Sequence, residues 1–318
     1  MARVPSSANL TSPQHHSQLT FVFDLLIADA ATLSILSLEL SKLYFSDSEA
    51  EAAQILPPLN GAATYRNFAM SKQRRLVTEA QFVREERAYW ARKCSLEPEE
   101  GGLPICPQLP LRKVKGETAF SVTRLSSSIP AEDWAKVLAR CQKEGITANS
   151  LLFTAFVRVL ATWSSNPHFL MNMAFFNRAG VFPDPADEGR VVGNCASTML
   201  VDCDLRHEAG KPLTLIELAA RLQDSIFETV GKSTYTAGVD VMQGLNQRDK
   251  TPGRAVAPYV FASVLGMDQS STPNPFNWFG KTPITSALTT PNVWIDQQGE
   301  PPCMNHLLVS HAHPNDTQ

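Results

Sequence analysis

The chain contains 318 residues, of which 43% are hydrophobic and 19% are charged, and its formal net charge at pH 7 is −3. These values are typical of a soluble globular protein and argue against the strongly basic surface that binds nucleic acids or anionic membranes. No apolar run reaches the roughly 18–20 residues of a membrane-spanning helix, and the polar N-terminus lacks a secretory signal. The sequence therefore predicts a cytoplasmic protein with no nucleic-acid or membrane partner.

Six cysteines are scattered along the chain. None forms a C-x-x-C pair, and none lies near histidines at the spacing of zinc ligands. The sequence therefore predicts reduced thiols and no metal site.

The first predicted elements in chain order are a strand and a helix. Residues 1–18 are polar, which predicts a disordered N-terminus. The following segment, Thr20–Ile27, is apolar and branched, which favours a short buried strand. Asp29 then precedes a run of leucines, where a carboxylate caps the first turn of a helix. The helical spacing is that of Leu33, Leu36, Leu40 and Leu43.

Prolines divide the next part of the chain. Pro57 and Pro58 end the first region, and the charged segment 65–93 has helical spacing. The segment 103–111 is LPICPQLPL, whose prolines lack N–H donors and restrict the residues before them, so a helix is excluded. We predict an extended linker here, with the boundary between two lobes just after it.

The second half alternates helical and extended patterns, which predicts a mixed α/β fold. A Pro- and Asn-rich surface loop is predicted at 268–283. The predicted helices are 131–144, 149–163 and 213–230, and the predicted strands are 169–176, 197–204, 256–265 and 290–297.

Asp24 and Asp29 lie five positions apart where the predicted strand meets the helix. Two carboxylates at this separation repel each other unless one pairs with an arginine and the other caps the helix. Taken alone, these residues favour capping and ion pairing, and acid–base chemistry stays open as the alternative.

Several segments carry the motifs of one family, in the order in which that family has them. Asp24 and Asp29 have the D-x-x-x-x-D spacing, and LPICPQLPL matches L-P-x-x-P-x-L-P-L at every fixed position. The helical segment 149–164 follows, and then MNMAFFNR, which ends at Asn177 and Arg178. PYVFASVL is similar to P-V-V-F-T-S-x-L, and TPNVWID is similar to T-P-Q-V-x-L-D. Together these segments resemble the heterocyclization (Cy) domain of nonribosomal peptide synthetases, which belongs to the condensation-domain superfamily.

The resemblance implies a chloramphenicol-acetyltransferase-like α/β (α+β) fold, in which two lobes form a V. It places a partial N-lobe at 19–112, the C-lobe at 113–298 and a tail at 299–318. The opening motifs of the family have no counterpart before residue 20, and the sequence ends soon after the last matching motif. We therefore expect an incomplete N-lobe and truncation at both ends, with a complementing N-terminal polypeptide as a candidate partner.

The resemblance also implies a reaction. Domains of this family join two substrates carried on the phosphopantetheine arms of peptidyl carrier proteins, and then cyclise Cys, Ser or Thr to a thiazoline or oxazoline with loss of water. The partners implied are carrier proteins and other synthetase domains, and no intrinsic cofactor is implied. The catalytic residue implied is Asp296, and the residues implied to shape the site are Asp24, Asp29, Ala262, Thr290, Asn177 and Arg178.

The chain departs from the family pattern near the implied catalytic residue. Ala262 replaces the Thr of the F-T-S motif, so the hydrogen-bonding partner of Asp296 is lost. Ser263 is expected to point to the opposite face of the strand. The motif G-D-F-T-S is GNCAS in this chain, and we interpret its Cys195 as a buried filler and not as a nucleophile.

Three hypotheses follow. The first is a heterocyclization enzyme, impaired by Ala262 and by truncation, that acts on carrier-bound substrates. The second is a catalytically degenerate fragment that serves only in docking or has no function. The third is a free-standing acyltransferase that uses a coenzyme A thioester, for which the usual H-x-x-x-D base is absent. The motifs disfavour the third hypothesis and leave the first two open.

Overall fold

The structure is a computed structural model that describes residues 26–44, 46–55, 61–78, 80–93, 107, 127, 129–164, 166–178, 182, 185–207, 211–232, 259–263, 265 and 305–309. Its helices are α1 Ala30–Tyr44, α2 Glu49–Ile55, α3 Tyr65–Thr78, α4 Ala80–Lys93, α5 Ala131–Glu144, α6 Ala148–Trp163, α7 Pro185–Glu188 and α8 Leu215–Lys232. Its strands are β1 His168–Phe176, β2 Ala196–Asp204, β3 Tyr259–Ser263 and β4 Asn305–Val309.

The described strands form one sheet in the order β2-β1-β3-β4. Strands β1 and β2 are antiparallel, and their register pairs Phe176 with Ala196. Strand β3 is parallel to β1, with Asn172 opposite Val260, and β4 is parallel to β3. The C-terminal ends of β1 and β3 and the N-terminal end of β2 therefore lie on the same side of the sheet.

One face of the sheet packs against helices α6 and α8. Successive side chains of a strand point to opposite faces, and every second residue of β1, β2 and β3 contributes to this core. The buried cluster is Phe153, Val157, Leu160, Phe169, Met171, Met173, Met199, Val201, Cys203, Leu218, Leu222, Ile226, Tyr259 and Phe261. The intervening residues Leu170, Leu200 and Val260 are also buried, so the second face of the sheet is covered as well.

Local signals define the junction between α5 and α6. Gly145 has φ 69°, in the left-handed region that favours glycine, and its N–H donates to the carbonyl of Gln142. Thr147 caps α6, because its Oγ1 accepts the N–H of Ser150 at 3.0 Å. The side chain of Gln223 on α8 accepts from Thr147 N–H at 2.7 Å and donates to the Gly145 carbonyl at 3.1 Å. This junction is therefore fixed against α8.

The helices predicted at 131–144 and 149–163, and the strands predicted at 169–176 and 197–204, are confirmed to within one residue at each end. Segment 65–93 forms two helices, α3 and α4. The helix predicted at 213–230 is also present, shifted by two residues. Of the strand predicted at 256–265, the structure describes Tyr259–Ser263 as β3, and residues 256–258 and 264 lie outside the described residues.

The described residues correct one expectation and add one element. Leu26 and Ile27, placed in a buried strand, lie in a turn with 80% and 65% of their surface exposed. The helix that the leucine spacing predicted is present as α1, Ala30–Tyr44. The sequence did not predict a strand in the tail, yet Asn305–Val309 pairs with β3 and extends the sheet.

Other expectations lie outside the described residues. They include the strand at 290–297 and the loop at 268–283. Of the predicted linker at 103–111 the structure describes Pro107, which is buried, and the lobe boundary after it stays a prediction. Within the described part of the chain, no single helix is long and apolar enough to cross a membrane, and the pair α5 and α6 that would pass together is bent by 101°.

Candidate functional site

A buried ion pair joins the N-terminal half of the chain to the sheet. Arg178, two residues beyond β1, donates from Nη2 to Asp29 Oδ1 at 2.5 Å. Asp29 immediately precedes α1, and its Oδ1 also accepts the N–H of Thr32 at 2.8 Å. Its Oδ2 accepts the backbone N–H of Cys195 at 2.9 Å. Asp29 therefore carries both roles, the cap and the ion pair, that the sequence analysis divided between two carboxylates.

Arg178 holds the segment that leads into β2. Its Nη1 donates to the carbonyl of Val191, and its Nη2 also lies 3.3 Å from the carbonyl oxygen of Gly193. Arg178 is 7% exposed and Asp29 is 4% exposed, so neither charge is strongly hydrated. A buried charge is tolerated when it is paired and hydrogen-bonded, and this geometry meets that condition for the carboxylate.

Thr32 and Gly193 make a second link beside the ion pair. The hydroxyl of Thr32 donates to the Gly193 carbonyl at 2.8 Å and accepts the Gly193 N–H at 2.9 Å. Thr32 Oγ1 also lies 3.4 Å from Arg178 Nη2. The first turn of α1 is thereby fixed to a segment 161 residues away in sequence.

Both the backbone conformation at position 193 and the close approach of a neighbouring side chain require glycine. Its φ is 154°, which side-chain-bearing residues rarely adopt, and a Cβ atom there would lie 2.3 Å from Cδ2 of Tyr65. Tyr65 begins α3, whose Phe68 packs with Phe182, Val191 and Cys195 in a small buried cluster. Helices α1 and α3 therefore both contact the segment before β2.

Replacing Gly193 by alanine is expected to lower the free energy of unfolding by about 2–5 kcal/mol, because backbone strain and the Tyr65 contact add. Urea unfolding would measure this change. Gly145→Ala is a control with positive φ but no atom within 4 Å, and Gly61→Ala has neither constraint. A Gly193→Ala loss no larger than that of Gly145→Ala would show that the Tyr65 contact contributes nothing.

Cys195 is a packed side chain beside this network. It is buried, and burial together with the Asp29 carboxylate raises the pKa of its thiol to about 11, against the opposing charges of Arg178 and Lys72. A thiol with this pKa is protonated at neutral pH and is a poor nucleophile. This agrees with the interpretation of Cys195 as a filler.

The structure brings together some of the predicted site residues. Asn177 and Arg178 are buried at the end of β1, and Asp29 contacts Arg178. Ala262 lies in β3, half-buried, at a position that alternates with the core residue Phe261 and therefore faces away from α6 and α8. Asp24, Thr290 and Asp296 are outside the described residues, so the catalytic role of Asp296 stays a prediction.

Sequence reasoning missed two residues of the network, Thr32 and Gly193. Thr32 lies in the first turn of a predicted helix, where a hydroxyl side chain is unremarkable. Gly193 opens the degraded GNCAS motif, and this glycine was the available signal. Among the described side chains, no three His, Cys, Asp or Glu residues group so as to hold a metal ion.

The model of the condensation domain matches residues 8–272 of this chain. The chain belongs to the condensation-domain family. It is 30% identical over 288 residues to phenyloxazoline synthase MbtB of Mycolicibacterium paratuberculosis, which covers 90% of this chain and 22% of that protein. It is 26% identical over 276 residues to bacitracin synthase 1 of Bacillus licheniformis, which covers 86% of this chain and 5% of that protein. The chain therefore spans about a fifth or less of the length of these relatives.

Solved structures give the same fold. The EpoB NRPS cyclization-docking bidomain from Sorangium cellulosum matches with a TM-score of 0.60 and 24% identity, covering 76% of this chain and 44% of that chain. The condensation domain from the monacolin K polyketide synthase MokA matches with a TM-score of 0.53 and 17% identity, covering 74% and 51%. The mixed α/β class and the condensation-domain fold predicted from the sequence are confirmed.

Proposed function

We propose that this chain is a heterocyclization domain that acts on substrates bound to carrier proteins. The observation that carries the proposal is the Asp29–Arg178 pair. Asp29 is the second residue of the D-x-x-x-x-D motif, and each of its oxygens accepts at least one hydrogen bond inside a buried network. Because both oxygens of Asp29 already accept hydrogen bonds, this carboxylate holds α1 and the segment before β2 in place. It is therefore poorly suited to exchange protons with a substrate.

The proposed reaction has two stages. The amine of a carrier-bound Cys, Ser or Thr attacks the donor thioester, the amine loses a proton, and the donor carrier leaves as a thiol. The side-chain thiol or hydroxyl then adds to the carbon of the new amide carbonyl, and its proton passes to the carbonyl oxygen. That oxygen leaves as water with the amide N–H proton, and the C=N bond of the ring forms. The name of the MbtB relative, a phenyloxazoline synthase, supports an oxazoline as one product, and a thiazoline is the corresponding product from Cys.

Both stages need proton transfers close to a tetrahedral carbon at neutral pH. In this proposal Asp296 carries them, because a partly buried carboxyl group can have a pKa near the working pH. Asp24, Asn177, Thr290 and the Asp29–Arg178 pair shape the surroundings. The proposed partners are peptidyl carrier proteins, whose phosphopantetheine arms hold the substrates. For the chain itself we propose two lobes, at 19–112 and 113–298, and a cytoplasmic location.

A second candidate is a catalytically degenerate domain that serves only in docking. Ala262 favours it, because a methyl group at the position of the F-T-S threonine can neither donate nor accept a hydrogen bond. This candidate shares the fold and the buried network with the first. The two differ in whether any product forms.

Mass spectrometry of the carrier-bound products tests the proposal. The chain is mixed with a donor carrier and a carrier loaded with Cys, Ser or Thr, alone and with the N-terminal segment of a related domain added. We expect a linear product, together with a smaller amount of a product lighter by one water, and Asp296→Asn should reduce both. Neither product in either mixture would rule out the enzyme and leave the docking candidate.

A further inference from the structure

The charge of this chain is unevenly distributed along the sequence. Residues 65–93, which span α3 and α4, contain eight Lys and Arg and three Glu, a net charge of +5. The whole chain has 28 basic and 31 acidic residues, so the remaining residues carry a net charge of −8. Helix α3 itself contains four basic residues and no acidic residue. This helix is therefore a local basic element in an otherwise acidic chain.

Helix α3 has one side that packs inward and one that is exposed. Phe68 is buried in the small cluster before β2, and the Nζ of Lys72 lies 4.7 Å from the centre of its ring. Positions 66, 70, 74 and 77 are three or four residues apart and lie on the side of the helix away from Phe68. The outer face of α3 is defined by four exposed residues, Arg66, Met70, Arg74 and Val77.

The outer face of α3 combines positive charge with apolar surface. Among the described residues, no carboxylate forms an ion pair with the guanidinium group of Arg66 or Arg74. Met70 is 41% exposed and Val77 is 74% exposed. Met and Arg are enriched in protein–protein interfaces, where Lys and Glu are depleted. The composition of this face therefore favours a surface that binds another protein.

The outer face of α3 begins beside the candidate functional site. Tyr65, the first residue of α3, contacts Gly193 so closely that a Cβ atom at that glycine would lie 2.3 Å from the Tyr65 ring. The carbonyl oxygen of Gly193 lies 3.3 Å from Nη2 of Arg178. Arg66 follows Tyr65 directly. A partner bound on the outer face is therefore close to the segment before β2 and to the buried ion pair.

Charge and apolar content together specify the partner. The two guanidinium groups require an acidic surface, and the exposed Met70 and Val77 require apolar side chains within that surface. A nucleic acid or an anionic membrane extends well beyond α3, and it would also meet the net charge of −8 on the rest of the chain. A small acidic protein that covers α3 avoids this repulsion.

We propose that the outer face of α3 is a docking surface for a carrier protein that presents an acidic, partly apolar helix. This inference rests on the proposed function, which requires carrier proteins, and it adds the place where one of them binds. The docked carrier holds the attachment point of its phosphopantetheine arm close to the segment before β2. Because the charges are exposed, they chiefly speed association, and salt weakens the binding.

The test is the affinity of the chain for a fluorescently labelled peptidyl carrier protein that bears an unloaded phosphopantetheine arm, measured by anisotropy. Arg66→Glu combined with Arg74→Glu should raise the Kd at least tenfold at low salt, and this difference should shrink at high salt. Met70→Ala combined with Val77→Ala should raise the Kd by a similar factor at low and high salt. All four residues are exposed, so the melting temperature should change little.

Lys143→Glu combined with Arg158→Glu is the matched control, because it makes the same change of charge at exposed positions on α5 and α6. It should leave the Kd unchanged. The inference is overturned if the α3 variants and the control bind the carrier equally well. It is also overturned if the unsubstituted chain binds duplex DNA or vesicles of anionic phospholipid and does not bind the carrier.

Product formation, measured by mass spectrometry, distinguishes this inference from the proposed function. A chain that forms the linear product, and whose carrier affinity is insensitive to Arg66→Glu with Arg74→Glu, keeps the proposed function and loses only the docking surface. A chain that binds the carrier through α3 but forms neither product keeps the docking surface and loses the enzyme.

Discussion

Replacing Arg178 by methionine is expected to lower the free energy of unfolding by about 3–5 kcal/mol. Methionine fills similar space but leaves the Asp29 carboxylate buried without its charge partner. The substitution also removes the donors to the Val191 and Gly193 carbonyls. These contacts fix α1 to the segments that follow β1 and precede β2. We therefore expect urea unfolding to show the loss of stability.

The control is an ion pair of similar length on the surface. Lys136 and Asp133 on α5 are 2.7 Å apart, but their side chains are 73% and 50% exposed. Lys136→Met should cost no more than about 1 kcal/mol, because water and salt screen exposed pairs. If Arg178→Met costs no more than Lys136→Met, the buried network does not stabilise the fold as inferred.

A double-mutant cycle separates the pair from its surroundings. Asparagine is as good a helix cap as aspartate, so Asp29→Asn keeps a cap for Thr32 while it removes the charge. In the double variant with Arg178→Met, no buried charge is left unpaired. The combined loss should therefore be clearly smaller than the sum of the two single losses.

The sequence predicted well the helices and strands whose ends are determined by neighbouring residues in the chain. Helix α5 begins after Pro130 and ends at Gly145, and strands β1 and β2 are branched or apolar runs of the usual length. It could not predict which face of β1 packs against α6 and α8, because residues 169–173 are buried on both faces and Asn172 is the one polar residue among them. The partners of β1 were needed to assign that face.

The network around Asp29 was only half predictable. The motif spacing and the carboxylates indicated a cap and an ion pair with an unspecified arginine, and Arg178 was predicted separately as a residue that shapes the site. The contact between Thr32 and Gly193 spans 161 residues and has no periodic signal in either segment. The leucine spacing predicted helix α1, but it carried no information on the contacts that Asp29 and Thr32 make with the segment before β2.

Replacing Ala262 by threonine is expected to increase the ratio of cyclised to linear product by about 10²–10⁴-fold, the usual range for general acid–base assistance. The new hydroxyl restores the F-T-S motif and gives Asp296 a hydrogen-bonding partner in the proposed mechanism. Threonine is β-branched and suits a strand, so stability should be little changed. The carrier-bound products are measured by mass spectrometry as before.

Valine at position 262 has the shape of threonine without its hydroxyl, so Ala262→Val distinguishes hydrogen bonding from packing. It should leave the product ratio at the level of the unsubstituted chain, and Asp296→Asn should abolish the gain that threonine gives. An equal gain with valine would assign the effect to the filling of space on the sheet face that points away from α6 and α8. No gain with threonine, in a chain that still forms the linear product, would mean that a hydroxyl at position 262 does not limit ring formation.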